Sequence, residues 1–386
     1  MKRTYYIFTA GRLARKQNTI FFEPYSNDDT DRRTDNNTNG NTNSDSQNDT
    51  ETLTAIAREK EQDEHKESDH AAEHKEEPSF DSSRKRVLPI EDIDSFMVFS
   101  DINFNARFLQ FLAKNSIPLH LFNYYGYYSG TYYPRDYLLS GHLLVSQVTH
   151  YKSNHKRLDI AQKLVAGSAA NMLRNLKYYN GRAGNLEPWI RKMETLLPDV
   201  YDAPAIPDLM GLEGNLRRVY YNAFPRILGD KYDFDKRVKN PPDNAVNTLI
   251  SFGNAMVYSA CLTEIYRTQL SPLISYLHEP GDRRFSLALD LAEIFKPLLA
   301  DRIIFSCLNQ GRIKPNDFDQ DLNFCYLKES GRKTFVQAFE EKMNTTIKHR
   351  KLKRKVSYRR LIRLECYKLI KQLTGAEEYK PFKAWW

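Results

Sequence analysis

The period of the apolar positions changes near residue 134. Before that point, runs of β-branched and aromatic residues predict short strands, and one amphipathic pattern at about residues 105–113 predicts a helix. The predicted strands lie at residues 4–9, 19–22, 86–89, 95–99, 118–122 and 127–133. The first 133 residues are therefore expected to form a β-rich domain with one helix.

After residue 134 the apolar residues recur with helical spacing, and strand signals are few. The predicted helices lie at residues 138–149, 157–178, 187–196, 211–221, 244–269, 286–309, 331–344 and 358–373. The sequence thus predicts an α+β protein with an N-terminal β domain at residues 1–133 and an all-α C-terminal domain at residues 134–386.

One segment of the N-terminal domain has the composition of a disordered chain. Residues 27–78 contain no Phe, Tyr or Trp and only one Leu and one Ile, so they cannot bury enough apolar surface to offset their conformational entropy. This acidic insert holds 16 acidic and six basic residues, a net charge of −10, whereas the whole chain carries +8. The other 334 residues therefore carry +18, which favours nucleic acid or an anionic membrane as a partner, with better solubility as the alternative.

The sequence gives no sign of a membrane span or of secretion. The longest apolar stretch, about residues 255–262, is far shorter than the ~20 residues that a span needs. The apolar run at residues 5–10 is too short for a signal peptide. The four cysteines have no CxxC spacing and are expected in the core: Cys261, Cys307, Cys325 and Cys366. We therefore expect a cytoplasmic protein.

Glu213 is a candidate site residue because of its position on a predicted helix. At 100° per residue, Leu216, Tyr220 and Phe224 all fall within about 60° of it, so its carboxylate faces the packed side. A buried carboxylate needs a proton, an ion pair or a metal. Arg217, one turn later, is the simplest ion-pair partner.

His278, Asp290 and Glu293 form a second candidate group. Asp290 and Glu293 are three residues apart on a predicted helix, so they lie side by side and repel each other unless a cation or proton intervenes. Two carboxylates and an imidazole suit a divalent metal, with the carboxylates favouring Mg²⁺ or Mn²⁺ and the imidazole tilting the choice toward Mn²⁺. The alternative is that Arg283 and Arg284 neutralise both acids while His278 caps a helix.

Basic residues are concentrated near the C-terminus. The segment contains Lys348, Arg350, Lys351, Lys353, Arg354 and Lys355, followed by Arg359, Arg360 and Arg363. This density exceeds what a solvated helix face needs and favours contact with phosphates, which gives affinity rather than sequence readout.

Tyrosines are concentrated between residues 124 and 133, at Tyr124, Tyr125, Tyr127, Tyr128, Tyr132 and Tyr133. Tyrosine rings can stack on nucleobases, but tyrosines in strands also pack against one another. Both interpretations stay open at this stage.

The same regions resemble the CRISPR spacer-acquisition integrase family over nearly the whole chain outside residues 27–78. The motifs that carry the resemblance are Gly211-Leu212-Glu213-Gly214, Ser251-Phe252-Gly253, Leu277-His278-Glu279-Pro280 and the stretch from Arg284 to Leu291. The resemblance implies an N-terminal β domain, a helical C-terminal domain and a homodimer. It also implies double-stranded DNA as substrate, and a heterohexamer with a small ferredoxin-like Cas partner that bridges two dimers.

The resemblance implies a metal-dependent strand transfer in which a DNA 3′-hydroxyl attacks a phosphodiester of a repeat array. The family's metal ligands fall on Glu213, His278 and Glu293, with Asp290 as the neighbouring acid and Mg²⁺ or Mn²⁺ as the ion. Two features depart from the family's pattern. Ser168-Ala169 replaces a pair of small and basic residues, and the acidic insert replaces a short turn.

Two other functions are compatible with these residues. In a non-catalytic nucleic-acid-binding scaffold, the acids would pair with Arg217, Arg283 and Arg284 instead of a metal. A general metal-dependent nuclease of branched nucleic acid would use the same site without joining strands. In each case these arginines, like the C-terminal basic segment, are candidates for nucleic-acid contact.

Overall fold

The computed structural model describes residues 2–26, 80–182, 184–229, 231–239, 241–281, 285–321 and 324–385. The acidic insert, Arg283 and Arg284 lie outside the described residues, so the predictions made for them stay predictions. The chain divides into two compact units. The helical unit comprises Met1–Phe8, Glu91–Ser100 and Leu109–Trp386, and the β unit comprises Thr9–Ile90 and Asp101–Phe108. This division differs from the predicted boundary after residue 133.

The strands, in chain order, are β1 (Arg3–Ile7), β2 (Gly11–Lys16), β3 (Thr19–Pro24), β4 (Arg86–Pro89), β5 (Ile93–Val98), β6 (Ile102–Phe104), β7 (Leu119–Phe122), β8 (Tyr128–Tyr132), β9 (Phe318–Asp321), β10 (Phe324–Leu327), β11 (Thr346–Lys348) and β12 (Lys355–Ser357). The helices are α1 (Ala106–Lys114), α2 (Gly141–Lys152), α3 (Asn154–Tyr179), α4 (Glu187–Leu196), α5 (Asp199–Asp202), α6 (Ile206–Tyr221), α7 (Phe224–Leu228), α8 (Ala245–Tyr266), α9 (Ser286–Phe295), α10 (Arg302–Asn309), α11 (Glu329–Asn344) and α12 (Tyr358–Leu373).

The β unit is built on a four-stranded sheet in the order β4-β3-β2-β6. Strands β2 and β3 form an antiparallel hairpin in which Leu13 pairs with Phe22. The side chains of Leu13 and Ile20 are fully buried. This alternation of buried and exposed positions is what stabilises a sheet with one covered face.

The helical unit contains the second four-stranded sheet, in the order β1-β5-β7-β8. The first three strands are parallel and β8 is antiparallel to β7. Every residue of β5 is buried, as is usual for a central parallel strand. Because β1 pairs with β5 in this sheet, the start of the chain belongs to the helical unit.

Helix α8 forms the centre of the helical unit. Most of its residues are buried, and in length and composition it could span a membrane, yet 78% of its most apolar window is buried inside the protein. That burial is typical of a core helix. The expected cytoplasmic location stays a prediction.

The fold class predicted from the sequence is confirmed, with corrections in the C-terminal part. This part is mostly helical but not all helical, because β9 pairs with β10 and β11 pairs with β12. The predicted helix at residues 286–309 is interrupted after Phe295 by a π-helical turn at Pro297–Asp301. Pro297 lacks an amide hydrogen and its ring obstructs the preceding turn, which explains the interruption. All four cysteines are buried and free, as expected.

A buried ion-pair network connects the central sheet to the helices. Asp94 on β5 is 2% exposed and lies 2.6 Å from Arg267 and 3.1 Å from Arg359. Arg359 also binds Glu340 at 3.0 Å. Removing one member of a buried network leaves opposite charges uncompensated in a region of low dielectric constant.

We therefore predict that Asp94→Ala lowers the free energy of unfolding by about 3–5 kcal/mol, because Arg267 loses its carboxylate partner and Arg359 loses one of its two. Urea unfolding followed by circular dichroism measures this change. The control is Glu329→Ala, which breaks an exposed pair with Lys333 and should cost less than about 1 kcal/mol. Equal losses in the two variants would contradict the role assigned to the network.

Candidate active site

The structure brings the four predicted site residues together from three segments of the helical unit. Glu213 lies on α6, His278 lies in the loop after α8, and Asp290 and Glu293 lie on α9. Two sets of contacts organise them, one around Asp290 and one around Arg217. Phe224, which was expected on the same helix as Glu213, instead begins α7, because α6 ends at Tyr221.

Asp290 is fully buried and holds the loop that carries His278. Its Oδ2 accepts hydrogen bonds from the amides of Tyr276 at 2.6 Å and Leu277 at 3.0 Å. Its Oδ1 accepts the amide of His278 at 3.0 Å and faces the Nδ1 atom of that residue at 2.8 Å. Four donors therefore converge on one carboxylate, which explains how it is tolerated inside the protein.

This arrangement determines which nitrogen of His278 is available. Because the oxygens of Asp290 already accept backbone amides, Nδ1 of His278 is the hydrogen-bond donor in this pair. The neutral ring then presents Nε2 as its acceptor nitrogen. A carboxylate that fixes the tautomer in this way is the usual partner of a metal-binding histidine.

Arg217 lies between the two glutamates of the site. Its Nε donates to Oε1 of Glu213 at 2.7 Å, and its Nη2 contacts both Glu213 and Glu293. Lys296, one turn after Glu293 on the same stretch, donates to Oε1 of Glu293 at 2.6 Å. The ion pair expected between Glu213 and Arg217 is therefore present, and it extends to Glu293.

The electrostatics of Glu293 follow from these contacts. Burial opposes its ionisation, but the attraction of Arg217 and Lys296, with a smaller contribution from His278, outweighs burial and lowers the pKa of Glu293. Glu293 is thus held as a carboxylate by two neighbouring cations.

The donor set of Glu213, Glu293 and His278 fits a divalent cation. Carboxylate oxygens and an imidazole nitrogen are suitable ligands for Mg²⁺ and Mn²⁺. Within the described residues, no three His, Cys, Asp or Glu side chains are close enough to hold an ion as they stand. Arg217 contacts one oxygen of each glutamate and Lys296 contacts the other oxygen of Glu293, so these cations occupy three of the four carboxylate oxygens.

Two cations near the site were not found from the sequence. Arg237 donates to Oδ1 of Asn247 at 3.1 Å and to Oγ of Ser251 at 2.8 Å. Burial, followed by repulsion from Arg237, Arg217 and Lys296, lowers the pKa of Lys239. In the described part of the chain neither residue forms a salt bridge, so both charges face a common positive region.

Asp301 is a further acid that the sequence did not indicate. It is buried in the π-helical turn, and burial raises its pKa to about 7, although a hydrogen bond with Tyr220 and the charges of Arg217 and Lys296 act in the opposite direction. The pKa of Asp301 is therefore raised, whereas that of Glu293, which is also buried but contacts two cations, is lowered. Asp301 lies on the π-helical turn, which helical periodicity does not predict, so the sequence pattern did not indicate this acid.

Ser168 and Ala169 are buried on α3. The hydroxyl of Ser168 donates to the main-chain oxygen of Glu293 at 2.9 Å. The side-chain amide of Asn171 donates to the main-chain oxygen of Ile294, also at 2.9 Å. These bonds tie α9 to α3 near Glu293. Ser168, in the pair that departs from the family's pattern, thus supports the backbone of a site residue.

The C-terminal basic segment divides into two groups. Residues 348–355 form the β11–β12 hairpin, and the side chains of Lys348, Arg350, Lys351, Lys353 and Arg354 are exposed there. Arg359 and Arg363, in contrast, bind Glu340 and Glu264 inside the protein. Within this segment the basic side chains of the hairpin are therefore the exposed ones, and the phosphate contact itself stays a prediction.

Comparison with known proteins identifies close relatives. The model of the family described as CRISPR associated protein Cas1 matches residues 66–341. "CRISPR-associated endonuclease Cas1" from Fusobacterium nucleatum is 48% identical over 79% of this chain and 90% of its own length. "CRISPR-associated endonuclease Cas1 3" from Thermodesulfovibrio yellowstonii is 42% identical over the full length of both chains.

Solved structures give the same result for the fold. A CAS1 protein from Thermotoga maritima has a TM-score of 0.75 at 32% identity, covering 98% of this chain and 99% of the other. A casposase bound to an integration product also has a TM-score of 0.75, at 18% identity, covering 100% of this chain and 95% of the other. The second similarity is one of fold.

The raised pKa of Asp301 makes the free energy of unfolding depend on pH. Between about pH 4, near the ordinary value of 3.8, and about pH 7, the folded protein keeps a proton on Asp301 that the unfolded chain has released. The free energy of unfolding therefore falls across this range as pH rises, by up to a few kcal/mol from this group alone. Asp301→Asn cannot titrate and should lack this contribution.

The measurement is urea unfolding of both proteins at pH 5 and pH 8, in the presence of a chelator. The variant should gain stability relative to the native protein as pH rises. A difference between the two proteins that is the same at both pH values would contradict the raised pKa.

Proposed function

Since this chain belongs to the CRISPR-associated protein Cas1 family, we propose that it is the metal-dependent endonuclease and integrase of CRISPR spacer acquisition, with Glu213, His278 and Glu293 holding the metal. The predicted family and the prediction of an enzyme are confirmed, because relatives 42–49% identical are named CRISPR-associated endonucleases. The observation that supports the site assignment is the hydrogen bond between Asp290 and Nδ1 of His278, which leaves Nε2 as the acceptor nitrogen of the ring.

The substrate and partners follow from the same family. We propose that the protein acts on double-stranded DNA as a homodimer, and that a small ferredoxin-like Cas2 protein joins two dimers into a heterohexamer. A Cas6-RT-Cas1–Cas2 complex has a chain with this fold, with a TM-score of 0.73 at 16% identity. The net charge of +18 outside the acidic insert supports binding to DNA.

A bound Mg²⁺ or Mn²⁺ would act as a Lewis acid on the scissile phosphodiester. Asp290 positions His278 by holding both its ring and its loop. Arg217 would leave the carboxylates of Glu213 and Glu293 and become available to a phosphate oxygen, for which a guanidinium is well suited. The metal ion would thereby replace the guanidinium of Arg217, and the charges of Glu213 and Glu293 would stay balanced.

The positive region around Arg237, Lys239 and Lys296 supports the same function. Burial, followed by repulsion from these neighbouring cations, lowers the pKa of Lys239. Two phosphates of a DNA strand would relieve this repulsion. We propose that the strand passes this region as it enters the site, while the β11–β12 hairpin contacts the backbone elsewhere.

The test is a strand-transfer assay in which the protein, with its Cas2 partner, joins a short duplex to repeat DNA in Mn²⁺. Glu213→Gln and His278→Ala should each reduce the rate by at least about 10²-fold, because each removes a ligand of the ion that stabilises the reacting phosphate. Glu329→Gln changes an exposed acid of α11 and is the matched control. Joining at the native rate by either site variant would contradict the proposal.

The ion pairs of Arg217 with Glu213 and Glu293 also agree with a non-catalytic DNA-binding scaffold. A scaffold binds DNA with a strong dependence on salt, and a chelator has no effect on any strand chemistry. Cleavage of many branched substrates without joining would instead identify a general nuclease.

The position of Arg217 predicts how metal affects stability. Arg217→Gln should lower the melting temperature in chelator, because Glu213 and Glu293 lose their shared cation. The same variant should show a larger rise in melting temperature on adding Mn²⁺ than the native protein, because the ion no longer competes with a guanidinium. Differential scanning calorimetry with and without Mn²⁺ measures both effects.

Arg218→Gln is the matched control, since Arg218 follows on the same helix but binds Asn215 at 2.9 Å. It should leave the response to Mn²⁺ unchanged. If Arg217→Gln responds to Mn²⁺ no more than the control does, the ion does not use these two carboxylates.

A further inference from the structure

The last described residues of the chain form an extended segment of the helical unit. Residues 377–385 belong to no helix or strand, yet Tyr379 and Phe382 are buried and Trp385 is half-buried. These aromatic residues recur at every third position, so one side of the segment faces the protein. We call residues 377–385 the C-terminal strap.

A buried carboxylate holds the middle of the strap on α12. Glu365 is 1% exposed, and its Oε1 accepts the hydroxyl of Tyr379 at 2.6 Å and the amide of Phe382 at 3.1 Å. The ammonium group of Lys368 lies 2.6 Å from the other oxygen of Glu365 and donates to the main-chain oxygen of Lys380 at 2.7 Å. Hydrogen bonds to an ionised group are strong, so the strap is a fixed part of the fold.

The strap also contacts the helix that carries Glu293. The side-chain amide of Asn171 donates to the main-chain oxygens of Ile294 at 2.9 Å and Phe382 at 3.0 Å. The rings of Phe382 and Phe295 are stacked, with their centroids 6.0 Å apart. Ile294 and Phe295 directly follow Glu293 on α9. The strap therefore packs against the turn of α9 that carries one of the proposed metal ligands.

Both ends of the strap contact the tip of the β11–β12 hairpin. At one end, the carboxylate of Glu377 lies 2.8 Å from the ammonium group of Lys351. At the other end, the guanidinium carbon of Arg350 lies 5.0 Å from the ring centroid of Trp385, and the ring of His349 meets that of Trp385 edge to face at 6.3 Å. The two strands of the hairpin pair over only three residues each, and pairing of this length does not by itself fix the tip. The strap therefore connects the tip of the hairpin to α9.

We propose that the C-terminal strap positions the hairpin for DNA binding, so that the basic side chains of the hairpin meet the DNA backbone at a set distance from the carboxylate site. This inference rests on the proposed function. Lys348, Lys353 and Arg354 are exposed on the hairpin and can reach phosphates. Trp385 acts through the hairpin and is a positioning residue. A hairpin that is already ordered binds with a smaller loss of conformational entropy than a mobile one.

The experiment is a double-mutant cycle on DNA binding, measured in chelator by fluorescence anisotropy of a labelled blunt duplex. Trp385→Ala detaches the strap from the hairpin and should weaken binding about 5- to 20-fold, because the hairpin then has to be ordered on binding. Lys348→Gln/Lys353→Gln/Arg354→Gln removes three charges of the hairpin. In that background Trp385→Ala should change the affinity less than about twofold, because the strap acts through these charges.

Two controls and one further measurement make the result specific. Trp385→Phe keeps an aromatic ring beside the hairpin and should bind the duplex within about twofold of the native affinity. Tyr201→Ala removes a ring that is 52% exposed on the short helix α5, and it should have no effect. Hydrogen exchange measured by mass spectrometry should be faster in residues 346–357 of Trp385→Ala than in the native protein, at a melting temperature that shows an intact fold.

Strand transfer at saturating DNA tests the distance between the hairpin and the site. Trp385→Ala should lower kcat about 10-fold, because a strand held by a mobile hairpin is less often aligned with the site. The triple hairpin variant should mainly raise KM. In the absence of DNA, the affinity of Trp385→Ala for Mn²⁺, measured by isothermal titration calorimetry, should equal that of the native protein.

Four results would overturn the proposal. These are native DNA affinity in Trp385→Ala, an equal loss of affinity in both backgrounds, native hydrogen exchange in the hairpin and a native kcat at saturating DNA. An equal loss would indicate a general effect on the fold. The proposed function fails differently: Glu213→Gln would then join strands at the native rate, while the binding cycle in chelator would keep its result.

Discussion

A single buried carboxylate organises the candidate active site. Asp290 receives three consecutive backbone amides and the ring of His278, so it fixes a loop, a side-chain orientation and a tautomer together. The α9 helix that carries Asp290 also carries Glu293 one turn later, so the loop and the second acid share one rigid support. Bonds from Ser168 and Asn171 then hold this helix against α3. Without Asp290, the imidazole and its loop would lose their bonds to the helix that carries Glu293.

The second constraint is charge balance among buried groups. Glu213 and Glu293 share Arg217, and Lys296 also contacts Glu293. Burial raises the pKa of Asp301 to about 7, and among the described residues no cation forms a salt bridge with it. A divalent ion would replace a guanidinium of lower charge, so the site can accept it without a new uncompensated acid. Arg217, once released, would join Arg237 and Lys239 in a positive surface for phosphates. The proposed function therefore couples metal binding to DNA binding through the same small group of residues.

The sequence indicated the candidate site residues more completely than it indicated how they are arranged. Periodicity placed Glu213 on the packed face of its helix and placed Asp290 next to Glu293, because helical spacing is a local property. It could not distinguish the roles of the two acids, since the bonds to Asp290 come from residues 276–278 and depend on a loop. Arg237, Lys239 and Asp301 were missed because only the folded chain brings them to the site. Pro297 could have signalled the break after α9, but the π-helical turn itself has no clear sequence pattern.

The most direct test of this account is a crystal structure of the protein soaked in Mn²⁺, with anomalous diffraction to locate the ion. The account predicts one anomalous peak in contact with carboxylate oxygens of Glu213 and Glu293 and with Nε2 of His278. In that structure Asp290 should still hold Nδ1, and Arg217 should have moved away from both glutamates. An ion bound to Asp290 or to Nδ1, or Arg217 still bridging the glutamates in saturating Mn²⁺, would contradict it.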